Sequence, residues 1–373
     1  MGNRVIVIII ALALAAGAAS LYLLGGEGKS SSNASALGQT LFPQLKAAEV
    51  TRISIQEPQA TLTLEKKEGR WLIAERGGFP ADLDRVSELV VKAIELKTGQ
   101  TEPISEKEHA RMQLGVPGKG EGAATLVTFK AQDGKTLAEL LVGKKYFRNP
   151  PEGDAGKAQG DGRFVMLPAD PARVIVISDP LKLATSTAGE WIARDGVAIE
   201  NIKSLKVKLA DDAFALERDN LDAPWKLEGK DGELDPSRAS AIGFALAKLE
   251  VVDVAAAGAD AGFDQGSLIV AATTDGLEYK LKIGKLDKDR YMVQVALDGT
   301  PVRAVRAAPA DEKAEDKDKR EKAAAEELKR FTERVAREKA LGPFTVLIAK
   351  AKIDEVLKKR ADLLKQEKKE EKK

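Results

Sequence analysis

Apolar and polar residues alternate in short runs along most of this chain, and after each train of alternating runs the period lengthens to that of a helix. Val50, Ile53 and Ile55 open a strand, residues 61–66 alternate strictly, and residues 71–74 close a small meander, a pattern that predicts antiparallel pairing. Asp82 then stands where an N-cap belongs. Leu83, Val86, Val90, Ala93 and Lys97 follow it at helical spacing, with Leu89 and Ile94 widening the stripe, so one face of that helix is expected to be buried. A polar helical turn, "SEKEHARMQ", runs into the connector Leu114–Gly115–Val116–Pro117. Two further strands follow around the Asp133–Gly134 turn signal, and "RFVML" and "PARVIVIS" complete the series.

The same order then returns. "SLKVKLADDAFALE" and Trp225 repeat the meander, and Asp235 with Pro236 marks a helix start whose apolar face is Ala239, Ile242, Leu246 and Leu249. A hairpin turns at Asp275–Gly276. Trp71 and Trp225, Arg85 and Arg238, Gly134 and Gly276, and Gly143 and Gly284 occupy matching places, and a shared order of this kind is the mark of an internal repeat. Phe344, Val346 and Ile348 alternate once more before helical spacing at Ile353, Val356, Leu357, Ala361 and Leu364. Phe344 is accordingly paired with Phe164. Between them, "DEKAEDKDKREKAAAEELKRFTERVAREK" places opposite charges four residues apart at Glu315 and Lys319, Asp316 and Arg320, and Glu326 and Arg330, which predicts a solvated helix inserted into a surface connection.

At the start of the chain, Arg4 precedes an uncharged apolar run from Val5 to Leu24, long enough to cross a bilayer as one helix with the N-terminus cytoplasmic. An uncleaved anchor is preferred over a cleavable signal peptide, whose apolar run is usually shorter. The expected fold class is therefore α+β, two tandem similar units of antiparallel meander, helix and hairpin, preceded by one transmembrane helix. The expected division is an anchor at 1–25, a tether at 26–40, a first unit at 41–185 and a second at 186–306, with a charged insertion at 307–342, closing elements at 343–364 and a tail at 365–373.

Composition narrows the chemistry. The 373 residues hold 59 Lys and Arg against 58 Asp and Glu, a net charge of +1 that gives no field to gather nucleic acid. With no cysteine, disulfides, thiolate nucleophiles and the lipobox of a lipoprotein are excluded. His109 is the only histidine, which rules out paired-histidine metal sites, and its polar setting predicts an exposed surface residue. The glycine-rich stretches at 118–122 and 153–162 lack the Gly-Lys-Ser/Thr ending of a phosphate loop, and Asp154 with Asp161 lacks the ligand spacing of a calcium loop. Asp82 with Asp84, and Asp211 with Asp212, are carboxylate pairs with structural places, the first at a cap and the second at a hairpin turn. No catalytic, cofactor-binding or metal-ligating residue is assigned, and no cofactor is expected.

The N-terminal anchor, "RWLI", "ADLDRVSELVVKAIELK", the Leu-Gly-Val-Pro connector, "LLVGKK" and "RFVML" together resemble the bacterial envelope family known as domain of unknown function 4340. That resemblance implies an inner-membrane-anchored, extracytoplasmic protein, in some cases tied to ABC transport systems of the gliding-motility type, and it brings no catalytic residues. The charged insertion departs from the family's pattern. The expected function is thus a non-enzymatic, membrane-anchored accessory or scaffolding component of an ABC transport or envelope complex, with an ABC permease as partner, an inner-membrane location and no nucleic acid. Its alternatives are an anchored solute- or glycan-binding protein with the ligand expected in the cleft between the two units, and an envelope hydrolase.

Overall fold

A computed structural model describes residues 37–102, 104–119, 121–149, 161–229, 232–256, 258–302 and 314–365. They group into two compact units, one of the described residues up to Thr61 with Ser87–Ser186, the other of Leu62–Val86 with those from Thr187 onward.

Two sheets carry the repeat. The first contains β1 (Arg52–Gln56), β2 (Thr61–Lys67), β3 (Arg70–Ile73), β4 (Phe79–Pro80), β5 (Thr101–Glu102), β6 (Thr125–Lys130), β7 (Thr136–Tyr146), β8 (Gly162–Leu167) and β9 (Asp170–Ile177), in the order β4-β3-β2-β1-β6-β7-β8-β9-β5. The second contains β10 (Ile202–Lys208), β11 (Ala213–Glu217), β12 (Lys226–Leu227), β13 (Val251–Val254), β14 (Ser267–Thr273), β15 (Leu277–Asp287), β16 (Arg290–Gly299) and β17 (Thr345–Ala349), in the order β12-β11-β10-β14-β15-β16-β17-β13. Apart from the short β4, the two orders are identical strand for strand.

The two helices of the repeat sit where their caps predict. Helix α1 (Leu83–Glu95) begins where the Asp82 carboxylate accepts the backbone N–H groups of Asp84 and Arg85 at 3.0 and 3.2 Å, satisfying donors that have no intrahelical partner. Val86, Leu89, Val90 and Ala93 are buried along its stripe, whereas Leu83 stays exposed. In α2 (Pro236–Ala247) the Asp235 carboxylate accepts the Ser237 N–H, and Ala239, Ile242, Ala245 and Leu246 are buried.

The recurring "VGKK" and "IGKL" strand ends have a steric cause. In the first sheet the connector ahead of β6 crosses β7 at Gly143, where a Cβ would stand 2.6 Å from the Met112 carbonyl oxygen, and the next residue's N–H donates to that same carbonyl at 2.9 Å. In the second, a Cβ on Gly284 would stand 2.0 Å from the Ala261 carbonyl, and Lys285 N–H donates to it at 2.7 Å. Only glycine lets the two backbones approach this closely.

Three expectations are corrected. Among the described residues no helix is long and apolar enough to cross a membrane, and the fold that they show is two similar sheet-and-helix units; residues 1–25, on which the expectation of a transmembrane helix rested, lie outside the described residues. The partner of Phe164 is not Phe344. Register equates Val142 and Val165 on β7 and β8 with Ile283 and Val293 on β15 and β16, so Met292 takes the place of Phe164 and β17 that of β9. The insertion therefore occupies the β16–β17 connection, where the first sheet has only Pro168 and Ala169 between β8 and β9. Finally, the inserted helix α3 (Ala314–Lys339) is not solvated all round: Phe331, Val335 and Glu338 are buried, and beyond its end Leu341 is too. The chain finishes with α4 (Lys350–Val356) and a 3-10 turn at Arg360–Leu363.

Candidate interaction surface

In each sheet the two faces differ in what covers them. On the first, the outward residues Leu141, Met166 and Val174 are buried beneath Leu114 and Ala124 of the connector before β6, with Ile104, Met112, Leu126 and Phe164 packed at the margin. The remaining outward positions nearby are polar: Ser54 and Gln56 on β1, and Thr128 on β6 donating its hydroxyl to Glu139 on β7.

In the second sheet the same register positions carry different chemistry. Lys206 and Lys208 stand for Ser54 and Gln56, and Val270 stands for Thr128 beside Leu268, the counterpart of Leu126. Lys280 and Lys282 stand for Glu139 and Leu141. Across the sheet this makes two rows, Ala213–Lys208–Leu268–Lys282 and Ala215–Lys206–Val270–Lys280. The connector before β14 spans only residues 255–266, against 103–124 before β6, and Leu268 and Val270 remain partly open to solvent.

An open groove of about 590 Å³ lies over β11, β10 and β14, where Lys206 and Lys208 rise between Ala213 and Ala215 on one side and Leu268 and Val270 on the other, with Arg360 and Glu228 beside them; Lys280 and Lys282 stand outside it, across β14. Lys359 pairs with Asp211 at 2.6 Å, and Asp212 accepts the Arg360 backbone N–H at 2.7 Å, which fixes the C-terminal turn against the groove's rim. The ammonium of Lys359 beside it draws the Asp211 carboxyl below its usual range. Lys280 is held by Glu278 at 2.8 Å and Asp298 at 3.4 Å, and these hydrogen bonds raise its pKa. By contrast, Lys206, Lys208 and Lys282 make no ion pair among the described residues. Glu217, Glu278 and Asp298 close one end of the face.

The residues weighed for chemistry lie elsewhere. Asp82 caps α1, Asp84 is exposed in its first turn, and Asp211 and Asp212 form the β10–β11 turn as expected. The carboxylate of Asp161 accepts the Arg148 N–H at 2.8 Å, while Asp154 lies outside the described residues. Within 118–122, Lys119 N–H donates to Val116 in a turn. His109 corrects its expectation: only 8% of it is exposed, and its Nε2 has no hydrogen-bond partner among the described residues. Among the described residues no three carboxylate or histidine side chains gather as a metal site.

The lysine-edged face was missed in the sequence because lysines at alternate strand positions read as an ordinary solvated face. Subtracting one repeat from the other would have exposed it, since four positions that are uncharged or acidic in the first become lysine in the second.

A family model described as "Domain of unknown function (DUF4340)" matches residues 71–266, more than half of the chain. The chain belongs to that family. The match runs from Trp71 on β3 to the residue before β14, and so takes in both capped helices. No curated protein and no solved structure matches the chain. Membership brings no function with it. The functional expectations that hung on an anchor are corrected by the same finding as the fold: with no membrane-crossing helix among the described residues, the anchored accessory or binding protein, the ABC permease partner and the inner-membrane location are withdrawn.

Proposed function

We propose that this chain is a non-catalytic binding protein, whose second sheet presents its lysine-edged outward face to an anionic partner. One observation carries the reading: the register positions that are covered or polar in the first sheet are open, apolar-floored and flanked by lysine in the second. Leaving Leu268 and Val270 partly uncovered forgoes roughly 25 cal/mol for each Å² of apolar surface, and Lys206 and Lys208 on one side with Lys282 on the other, none in an ion pair among the described residues, set a charge preference for whatever covers them. The groove offers charge and apolar area rather than a nucleophile paired with a base, which is why binding is favoured over catalysis.

The test is amine labelling of the full chain followed by mass spectrometry, with and without poly-glutamate, an acidic amphipathic peptide or phosphatidylglycerol vesicles. Protection of Lys206, Lys208 and Lys282, with Lys66 and Lys107 unchanged, is the expected result. If none of the three probes protects those lysines, the reading fails.

A further inference from the structure

We infer that the occupant of this face is an amphipathic α-helix of a partner protein, with a narrow apolar stripe edged on both sides by glutamate or aspartate; the inference rests on the reading of the face as a binding surface. The geometry of the rows sets the shape. Lys206 and Lys208 on β10 and Lys280 and Lys282 on β15 flank the single strand β14, so the lysine rows stand two strand spacings apart, roughly 10 Å. That separation matches the diameter of one helix with its side chains, about 10 Å.

The floor argues against a simple polyanion. Leu268 and Val270 lie two residues apart on β14, roughly 7 Å along the strand, close to the rise between helix positions four or five apart. A polyanion would gain nothing from these side chains, whereas an apolar stripe at helical spacing covers both. Lysine also suits the task better than a shorter cation: its methylene stem lies along apolar surface while the ammonium reaches over it to an edge carboxylate. The mode is that of a helix seated in a groove, with apolar anchors for affinity and edge charges for partner choice. At the outer rim Arg360 adds a further cation and Glu228 an acid. The acids Glu217, Glu278 and Asp298 limit the favourable length of the face to the two lysine rows.

The experiment is fluorescence anisotropy of the full chain with a labelled synthetic peptide of about 18 residues, leucines spaced three and four apart and glutamates on both flanks, its helicity checked by circular dichroism. The comparison ligands are a scrambled peptide of the same composition, poly-glutamate and phosphatidylglycerol vesicles. The helical peptide is expected to bind at least about 10-fold more tightly than the scrambled peptide or poly-glutamate. The pairs K206E/K208E and K280E/K282E should each weaken it about 10-fold or more, and Leu268→Asn should weaken it without changing the salt dependence. Equal binding of the scrambled peptide or poly-glutamate, or preferred binding of vesicles, overturns the helix while leaving an anionic partner in place. Failure of every anionic probe to bind overturns both.

Discussion

Replacing Glu338 by alanine should loosen the inserted helix. The carboxylate is 2% exposed, accepting the Tyr279 hydroxyl at 2.7 Å and the Ala198 N–H at 3.0 Å, with the Arg334 guanidinium 3.8 Å away. Truncation leaves two buried donors without an acceptor, each a penalty of about 1–3 kcal/mol. Arg334 keeps Glu200 at 2.7 Å, so no unpaired cation is created, and relief from holding a desolvated carboxylate offsets part of the loss. A net loss of about 2–4 kcal/mol follows, which for a unit of this size lowers Tm by roughly 5–15 °C. Glu338→Gln should lose much less, because the amide oxygen accepts from Ala198 while its NH2 donates to the Tyr279 oxygen. Burial also raises the Glu338 pKa, so the folded chain binds this proton more readily than the unfolded chain. Its contribution is complete below the ordinary glutamate pKa, about 4.3, and is lost as pH rises through the higher folded value. Scanning calorimetry at neutral and mildly acidic pH measures both effects: mild acid should stabilise the natural chain relative to Glu338→Gln. A fall in Tm of under about 2 °C for Glu338→Ala, or equal pH dependence in the two proteins, would refute the reasoning.

Other substitutions test other contacts. Gly284→Ala should destabilise by about 2 kcal/mol or more and Gly143→Ala by somewhat less, since the added Cβ meets backbone at 2.0 and 2.6 Å; urea unfolding reads the difference. Arg76 grips Asp253 through Nε at 2.9 Å and its terminal nitrogen at 3.4 Å, with Arg290 at 3.8 Å, so Asp253→Ala should lose about 2–4 kcal/mol and retain little of that loss in an Arg76→Met background. His109→Leu should leave stability within about 1 kcal/mol of the natural chain, because the imidazole Nε2 makes no hydrogen bond whose loss would be felt.

Much of this fold could be read from the chain because the signals were local. Alternation set β1, β2, β6, β10 and β14, the Asp-Gly turns set the hairpins, and Asp82 and Asp235 set the helix starts. What escaped depended on distant partners. His109 lies among exposed Glu106, Lys107 and Arg111 and half-buried Glu108, and the chain around it gives no sign that its side chain is the one turned inward. Phe331 and Val335 are two apolar residues in a strongly charged helix, too sparse a stripe to declare a buried face before Tyr279 and Ala198 are known to wait for Glu338. Phe164 and Phe344 head apolar runs of similar pattern, and only the ladder pairing shows that β16 already fills the place of β8. The binding face was hidden for a related reason: its meaning lies in a difference between repeats rather than in either one.

The inserted segment also separates the two repeats in time. In the first sheet β8 and β9 meet across a turn of two residues, so their pairing is among the most local events available to the chain. Their counterparts β16 and β17 are divided by residues 300–344, and bringing them together carries an added loop-closure entropy of about 2 kcal/mol. β13, whose place at the sheet's edge depends on β17, must wait as well. Two ladders of the same topology should therefore form at different rates, the second leaving the flank of β16 bare until α3 has been brought back and β17 zips on, and it is during that interval that a growing chain would be most open to mispairing.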